Sequence, residues 1–139
     1  MEITKIKVFA DTNIFVSSII NPLSLPHLAL EKAKSLPFCL YTSHYCFDEL
    51  REVFLKKFPN KIKDLNKFLR YEFDLVTILD DFDDSYYEEN LIRDPKDRLI
   101  LRSSIKEGID FILTGDKDFL ESGLTHPLPV TPRDFLDKY

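Results

Sequence analysis

Apolar positions along the chain fall into an alternating order of strand-like and helix-like segments. Residues 5–10 alternate, then run apolar into Asp11, as a buried strand does. Residues 12–20 are rich in β-branched side chains but fit a short helix, and Pro22 and Pro26 end that segment. Pro26 suits a helix start. Leu28, Ala29, Leu30 and Ala33 then mix with Glu31, Lys32 and Lys34 in a helical reading of 27–35. Phe38 to Thr42 reads as a second strand, and Ser43 is a good cap for the helix that follows. Tyr45, Cys46, Leu50, Val53 and Phe54 recur there at helical spacing. Pro59-Asn60 breaks the chain before a helix over 61–72 with Ile62, Leu65, Phe68 and Leu69 on one face.

Leu75 to Leu79 predicts a third strand, and 80–89 a loop or short helix. Asp94-Pro95 opens a helix that Gly108 closes. Phe111 to Leu113 is a fourth strand, followed by a short helix from Asp118 to Glu121. Leu128-Pro129-Val130 suits a short edge strand, where proline is tolerated, and Asp134 to Lys138 a closing helix. Strands alternating with helices predict one α/β domain over 1–139 with a mostly parallel sheet of four or five strands.

Length agrees with one domain: 139 residues can bury a sizeable core. No apolar run approaches the roughly 20 residues of a membrane span. The start, MEITKIKVF, lacks the long apolar stretch of a signal peptide. No membrane association is expected, and a cytoplasmic location is. Cys39 and Cys46 form no CxxC pair, and His44 does not complete a zinc quartet, so both cysteines read as core residues.

Charge alters the picture through its distribution. The net charge is −5, yet residues 80–89, DDFDDSYYEE, hold six acids and no base, and without them the balance would be +1. Residues 51–70 hold seven bases against two acids. An overall acidic chain thus carries a basic segment able to meet a polyanion.

Four acids occupy positions that an α/β fold can bring together. Ligand sites in such sheets lie beyond the carboxyl ends of strands. Asp11 interrupts the apolar run VFADTNIF directly after the first strand, and Asp116 follows the fourth in LTGDKD. Helices could present Glu49 and Asp97 beside them. Carboxylates gathered without a cation repel one another, and Mg²⁺ or Mn²⁺ removes the conflict. In that reading Thr12 and Asn13 orient the first acid or touch a phosphate. Plainer roles stand beside each: Asp11 as a helix cap, Glu49 as a solvated residue with Asp48 as neighbour, and Asp97 as a partner of the helix dipole with Asp94 as the cap. Asp116 could be a turn residue, and Asp118 either a supporting ligand or a cap.

The segments VFADTNIFVSSI, SHYCFDELREVF, RDPKDRLIL and IDFILTGDKDFLE, with the ending VTPRDFLDKY, together resemble the PIN domain family in order and spacing. The pattern is similar to PIN proteins that serve as toxins of toxin–antitoxin pairs. The resemblance implies an α/β/α sandwich and a Mg²⁺- or Mn²⁺-dependent ribonuclease. It carries the family's four acidic positions onto Asp11, Glu49, Asp97 and Asp116, and its small polar residue onto Thr114 with Asp118 nearby. Asn13 matches the polar position after the first acid. It also implies an antitoxin on another polypeptide. The acidic block at 80–89 is heavier than the resemblance leads one to expect beside a polyanion site.

Such a site would hydrolyse an RNA phosphodiester through a metal-activated water. The dispersed histidines, His27, His44 and His126, supply no pair for attack by a 2′-hydroxyl. Lys56, Lys57, Lys61 and Lys63 are the candidate RNA-binding cations. Exposed Leu, Phe and Tyr residues would allow a homodimer. Two other readings compete. One is a PIN-like module that binds RNA or protein without cleaving. The other is a haloacid-dehalogenase-like phosphatase, which needs a second Asp where this chain has Asn13.

Overall fold

In the computed structural model, which describes residues 4–139, five strands form one sheet. They are β1 (Ile6–Ala10), β2 (Phe38–Ser43), β3 (Val76–Leu79), β4 (Phe111–Leu113) and β5 (Leu128–Val130). Their order is β3-β2-β1-β4-β5, and every pairing is parallel. Parallel strands need crossovers. Seven helices supply them or flank them: α1 (Thr12–Ile20), α2 (Leu25–Ala33), α3 (His44–Lys57), α4 (Ile62–Tyr71), α5 (Pro95–Glu107), α6 (Lys117–Leu120) and α7 (Pro132–Lys138).

The apolar runs are continuous because the sheet is covered on both faces. Val8 and Ala10 join Phe15, Leu30, Phe54, Phe68 and Phe135 in one core. Phe9, between them in sequence, points the opposite way and joins Ile100, Leu101, Ile112 and Phe119 in a second. Alternation along β1 therefore places α1, α2, α4 and α7 on one side of the sheet and α5 and α6 on the other. This is the α/β/α sandwich expected, with all five strands parallel. Phe15, 1% exposed, meets the rings of Phe68 and Phe73 at 6.1 and 5.6 Å. Burying such a side chain stabilises the fold by about 1.5–3 kcal/mol.

Caps explain where helices begin. Ser24 accepts the His27 N–H, so α2 starts at Leu25 with Pro26 in its first turn, two residues before the sequence reading. Thr131 caps α7, which starts at Pro132 rather than Asp134. Asp116 caps α6, which runs one residue ahead of the expected span. Gly108 closes α5 at φ 76°, as expected.

The acidic block is anchored rather than free. The Ser103 hydroxyl donates to the Asp80 carbonyl at 2.9 Å, and Asp81 accepts the Tyr45 N–H at the start of α3. The Lys106 ammonium sits 4.0 Å from the centre of the Phe82 ring. Glu89 turns inward and is buried: Arg102 donates through Nε and Nη2 to its carboxylate at 3.0–3.1 Å, and the Tyr86 N–H adds a bond at 2.6 Å. Burial alone would raise the Glu89 carboxyl, but the Arg102 guanidinium and the Tyr86 N–H outweigh it and hold it below the usual range. The contribution of this pair is thus present above the ordinary Glu pKa and is lost as pH falls through the lowered value. Arg102→Ala should lower the melting temperature at pH 7 and shrink that loss near pH 4. Melting curves of wild type and variant at the two pH values check this, and parallel curves would contradict it.

Candidate active site

Strand order reverses at β1, which pairs with β2 on one side and β4 on the other. Chain connections leave in opposite directions there and open a crevice beyond the carboxyl ends of the two strands. Asp11 follows β1 and the Thr114-Gly115-Asp116 turn follows β4, so both border that crevice.

Asp11 is 6% exposed and held on both oxygens. Oδ1 accepts the Ile14 N–H at 3.3 Å, which caps α1, and Oδ2 accepts the Thr114 hydroxyl. Thr114 in turn accepts the Asp116 N–H at 3.0 Å. Capping and site-building are thus the same interaction, not alternatives. Burial pushes the Asp11 carboxyl up to about 6, with the Thr114 and Ile14 bonds opposing and the Asp116 charge adding to the rise.

Asp97 lies in the first turn of α5, behind its Asp94 cap, and is 9% exposed. Its Oδ2 is buried with no hydrogen-bond partner. Burial and the neighbouring Asp116 carboxylate, then Asp94 and Asp11, raise the Asp97 carboxyl to about 8. Asp94, Asp97 and Asp118 offer oxygens within 4.8 Å of one another. Asp118 also pairs with Arg93 at 3.0 Å. A buried carboxylate oxygen without a donor calls for a proton or a cation. The all-oxygen donor set fits a hard divalent cation.

Glu49 lies on α3. It is half-buried and accepts the Tyr45 hydroxyl at 3.1 Å. Burial, then the Glu49 and, more weakly, the Asp94 carboxylates, push the Tyr45 phenol above its ordinary value. Asn13 is exposed at the mouth of α1, whereas Thr12 is buried, its hydroxyl directed at the Cys46 carbonyl at 3.5 Å. Cys46 is buried too, and burial pushes its thiol up to about 11, as expected of a core cysteine. Lys56 and Lys57 are exposed at the end of α3, with Lys61 and Lys63 around the turn into α4. Seven residues of helix place Lys56 about 10 Å beyond Glu49.

A family model described as PIN domain matches residues 7–118. The chain belongs to the PIN domain family. Uncharacterized protein MJ1680 of Methanocaldococcus jannaschii is 29% identical over 154 aligned positions, covering 100% of this chain and 95% of that protein. Two solved structures share the fold. VapBC2 from Rickettsia felis, bound to a DNA fragment from their promoter, superposes with a TM-score of 0.67 at 19% identity, covering 91% of this chain and 98% of the other. VapC20 of Mycobacterium tuberculosis, a Sarcin-Ricin loop cleaving toxin, gives 0.59 at 16% identity, covering 84% and 95%.

In this PIN domain, three residues matter more than their sequence context suggests. Asp94 reads as a cap, yet its carboxylate also faces Asp97 and Asp118. Its signal is the i, i+3 spacing in RDPKD, which puts both acids on one side of the first helical turn. Tyr45 reaches Glu49 across one turn of α3, an i, i+4 pair. Arg93, the one guanidinium paired with the cluster among the described residues, leaves no sequence signal, because its partner lies 25 positions away.

Proposed function

We infer that this PIN domain is a Mg²⁺- or Mn²⁺-dependent ribonuclease and the toxin of a toxin–antitoxin pair in the cytoplasm. The observation that carries the reading is the buried, unpartnered Oδ2 of Asp97 within a group of carboxylates at the sheet's switch point. So costly an arrangement is accounted for by a cation that the acids hold together. The fold likeness to VapC20, a Sarcin-Ricin loop cleaving toxin, supports RNA as the substrate.

Asp11, Asp97 and Asp116 would hold the ion, with Glu49 completing the shell and Asp118 supporting it; Asp94 adds charge from the same turn. When bound, the ion supplies a water of lowered pKa and relief of charge at phosphorus. Thr114 keeps the Asp11 carboxylate oriented, and Tyr45 does the same for Glu49. Asp97, whose carboxyl is raised to about 8 without a cation, would release its proton on becoming a ligand. Asn13, exposed beside Asp11, would meet a phosphate oxygen, and buried Thr12 steadies the start of α1. Hydrolysis adds one water and breaks the P–O3′ bond, leaving a 5′-phosphate and a free 3′-hydroxyl.

Cleavage of end-labelled RNA in Mn²⁺, absent in EDTA, tests the reading. No metal-dependent cleavage would favour a non-catalytic binding module, and a 2′,3′-cyclic phosphate end would overturn the proposed chemistry. An antitoxin on a separate chain would block this crevice, and exposed Leu and Tyr side chains would allow a homodimer.

Lys56, Lys57, Lys61 and Lys63 are the proposed RNA-binding cations. Reversing all four charges should weaken RNA binding and flatten its salt dependence by about 0.7 in log–log slope for each phosphate no longer neutralised. Fluorescence anisotropy at a series of KCl concentrations measures the slope, and an unchanged slope rejects the assignment.

A further inference from the structure

A second group of metal-ligating side chains lies at the opposite end of α1 from Asp11. His27 near the start of α2, Glu31 one turn later, and Glu72 at the end of α4 offer ligand atoms within 4.8 Å of one another. His27 and Glu72, with Ser18 of α1, also line a cleft of about 240 Å³. The group is about 10 Å along α1 from the carboxylate cluster, since seven residues separate Ser18 from Asp11.

The imidazole is already oriented. Its Nδ1 lies 2.9 Å from the Oγ of Ser18, which is 1% exposed, and its Nε2 faces Glu31 Oε1 at 3.9 Å. A ring fixed through one nitrogen by a buried partner, with the other nitrogen turned to a carboxylate, is the arrangement of a metal-ligating histidine. His27 and Glu31 are spaced i, i+4, so both project from one helical face. Glu72 comes from a different helix and closes the third side.

We propose that His27, Glu31 and Glu72 form a zinc-class site that ties α2 to α4, with Ser18 holding the His27 ring in place. Imidazole with carboxylates selects zinc or nickel over Mg²⁺, which takes oxygen donors and retains waters. Three protein ligands leave a fourth position for water. A tetrahedral zinc needs donors about 3.4 Å apart. The two glutamates end in flexible stems that can close the difference. Lys34 Nζ lies 3.3 Å from Glu31 Oε1 and must give way. This site is independent of the ribonuclease reading.

The test uses the full chain, Zn²⁺ as probe and 10 mM Mg²⁺ throughout. Long-range ¹H–¹⁵N spectra resolve the chain's three histidines. One equivalent of Zn²⁺ should shift the His27 Nε2 resonance and leave His44 and His126 in place. In calorimetry, His27→Gln and Glu72→Gln should each weaken that binding event at least about 10-fold, and Ser18→Ala about 10-fold. Lys34→Gln should tighten it. An unmoved His27 Nε2 resonance in the wild type overturns the proposal without any variant. So does zinc binding of unchanged affinity in folded His27→Gln, which would place the ion among the aspartates.

Discussion

Asp11→Asn is expected to lower Mn²⁺-dependent RNA cleavage by roughly 10²–10³-fold while leaving the fold intact. The magnitude follows from losing several kcal/mol of metal-assisted transition-state stabilisation, at 1.36 kcal/mol per factor of ten. The fold should survive because asparagine caps helices as well as aspartate does. Its carbonyl oxygen can still accept either the Ile14 N–H or the Thr114 hydroxyl, both of which Asp11 engages. The substitution therefore removes the charge and one of these two acceptor oxygens. Circular dichroism should match the wild type, and without metal the variant should melt no lower, because burial raises the Asp11 carboxyl to about 6 and asparagine removes that cost; cleavage of labelled RNA at saturating Mn²⁺ falls. Equal cleavage by both proteins would mean that the activity does not arise at this site.

Asp97→Asn should raise the stability of the metal-free protein. The Asp97 carboxyl is raised to about 8 in the folded protein, from an ordinary value of 3.8. Between those two values the folded state binds more protons than the unfolded one, so metal-free stability falls as pH rises from about 4 to 8. Asparagine does not titrate, and its amide can donate toward the Asp116 carboxylate. The variant should be more stable than wild type by about 1–3 kcal/mol at pH 7 without metal, and less dependent on pH. Mn²⁺ should reverse the order. At 100 times the dissociation constant a ligand adds about 2.7 kcal/mol to the protein that binds it. The variant, lacking an anionic ligand, should gain little. Thermal melts from pH 5 to 9 in EDTA and in Mn²⁺ measure both effects. Equal pH slopes, or equal stabilisation by Mn²⁺, would remove Asp97 from the site.

The two experiments separate function from architecture because the site stores unfavourable charge. The sheet does not need carboxylates at its switch point for its own stability. Phe15, Phe54, Leu101 and Phe119 pack in the two apolar cores. By contrast, Glu89 is a buried acid fully matched by Arg102. Asp97 has no such partner, and that contrast distinguishes a structural acid from a candidate ligand.

Much of the architecture is written locally. Apolar runs of five or six residues, proline and glycine punctuation, and capping residues such as Ser43 and Asp94 act within a few positions of one another. That is why element order and the parallel α/β class are legible before any coordinates. The helix starts at Leu25 and Pro132 fall two residues ahead of the apolar periodicity because Ser24 and Thr131 each satisfy an N–H three positions on, and periodicity alone does not count such bonds. The approach of Asp11, Asp97 and Asp116 is a matter of distance across the chain. Strand order decides it, since β1 must lie beside β4 before the Thr114 hydroxyl can reach a carboxylate 103 positions away. The pairing of Arg102 with Glu89 and the meeting of His27 with Glu72 belong to the same class. Sequence specifies which groups can ionise or ligate. Only packing brings them to within a few ångströms and strips away the water that would otherwise screen them.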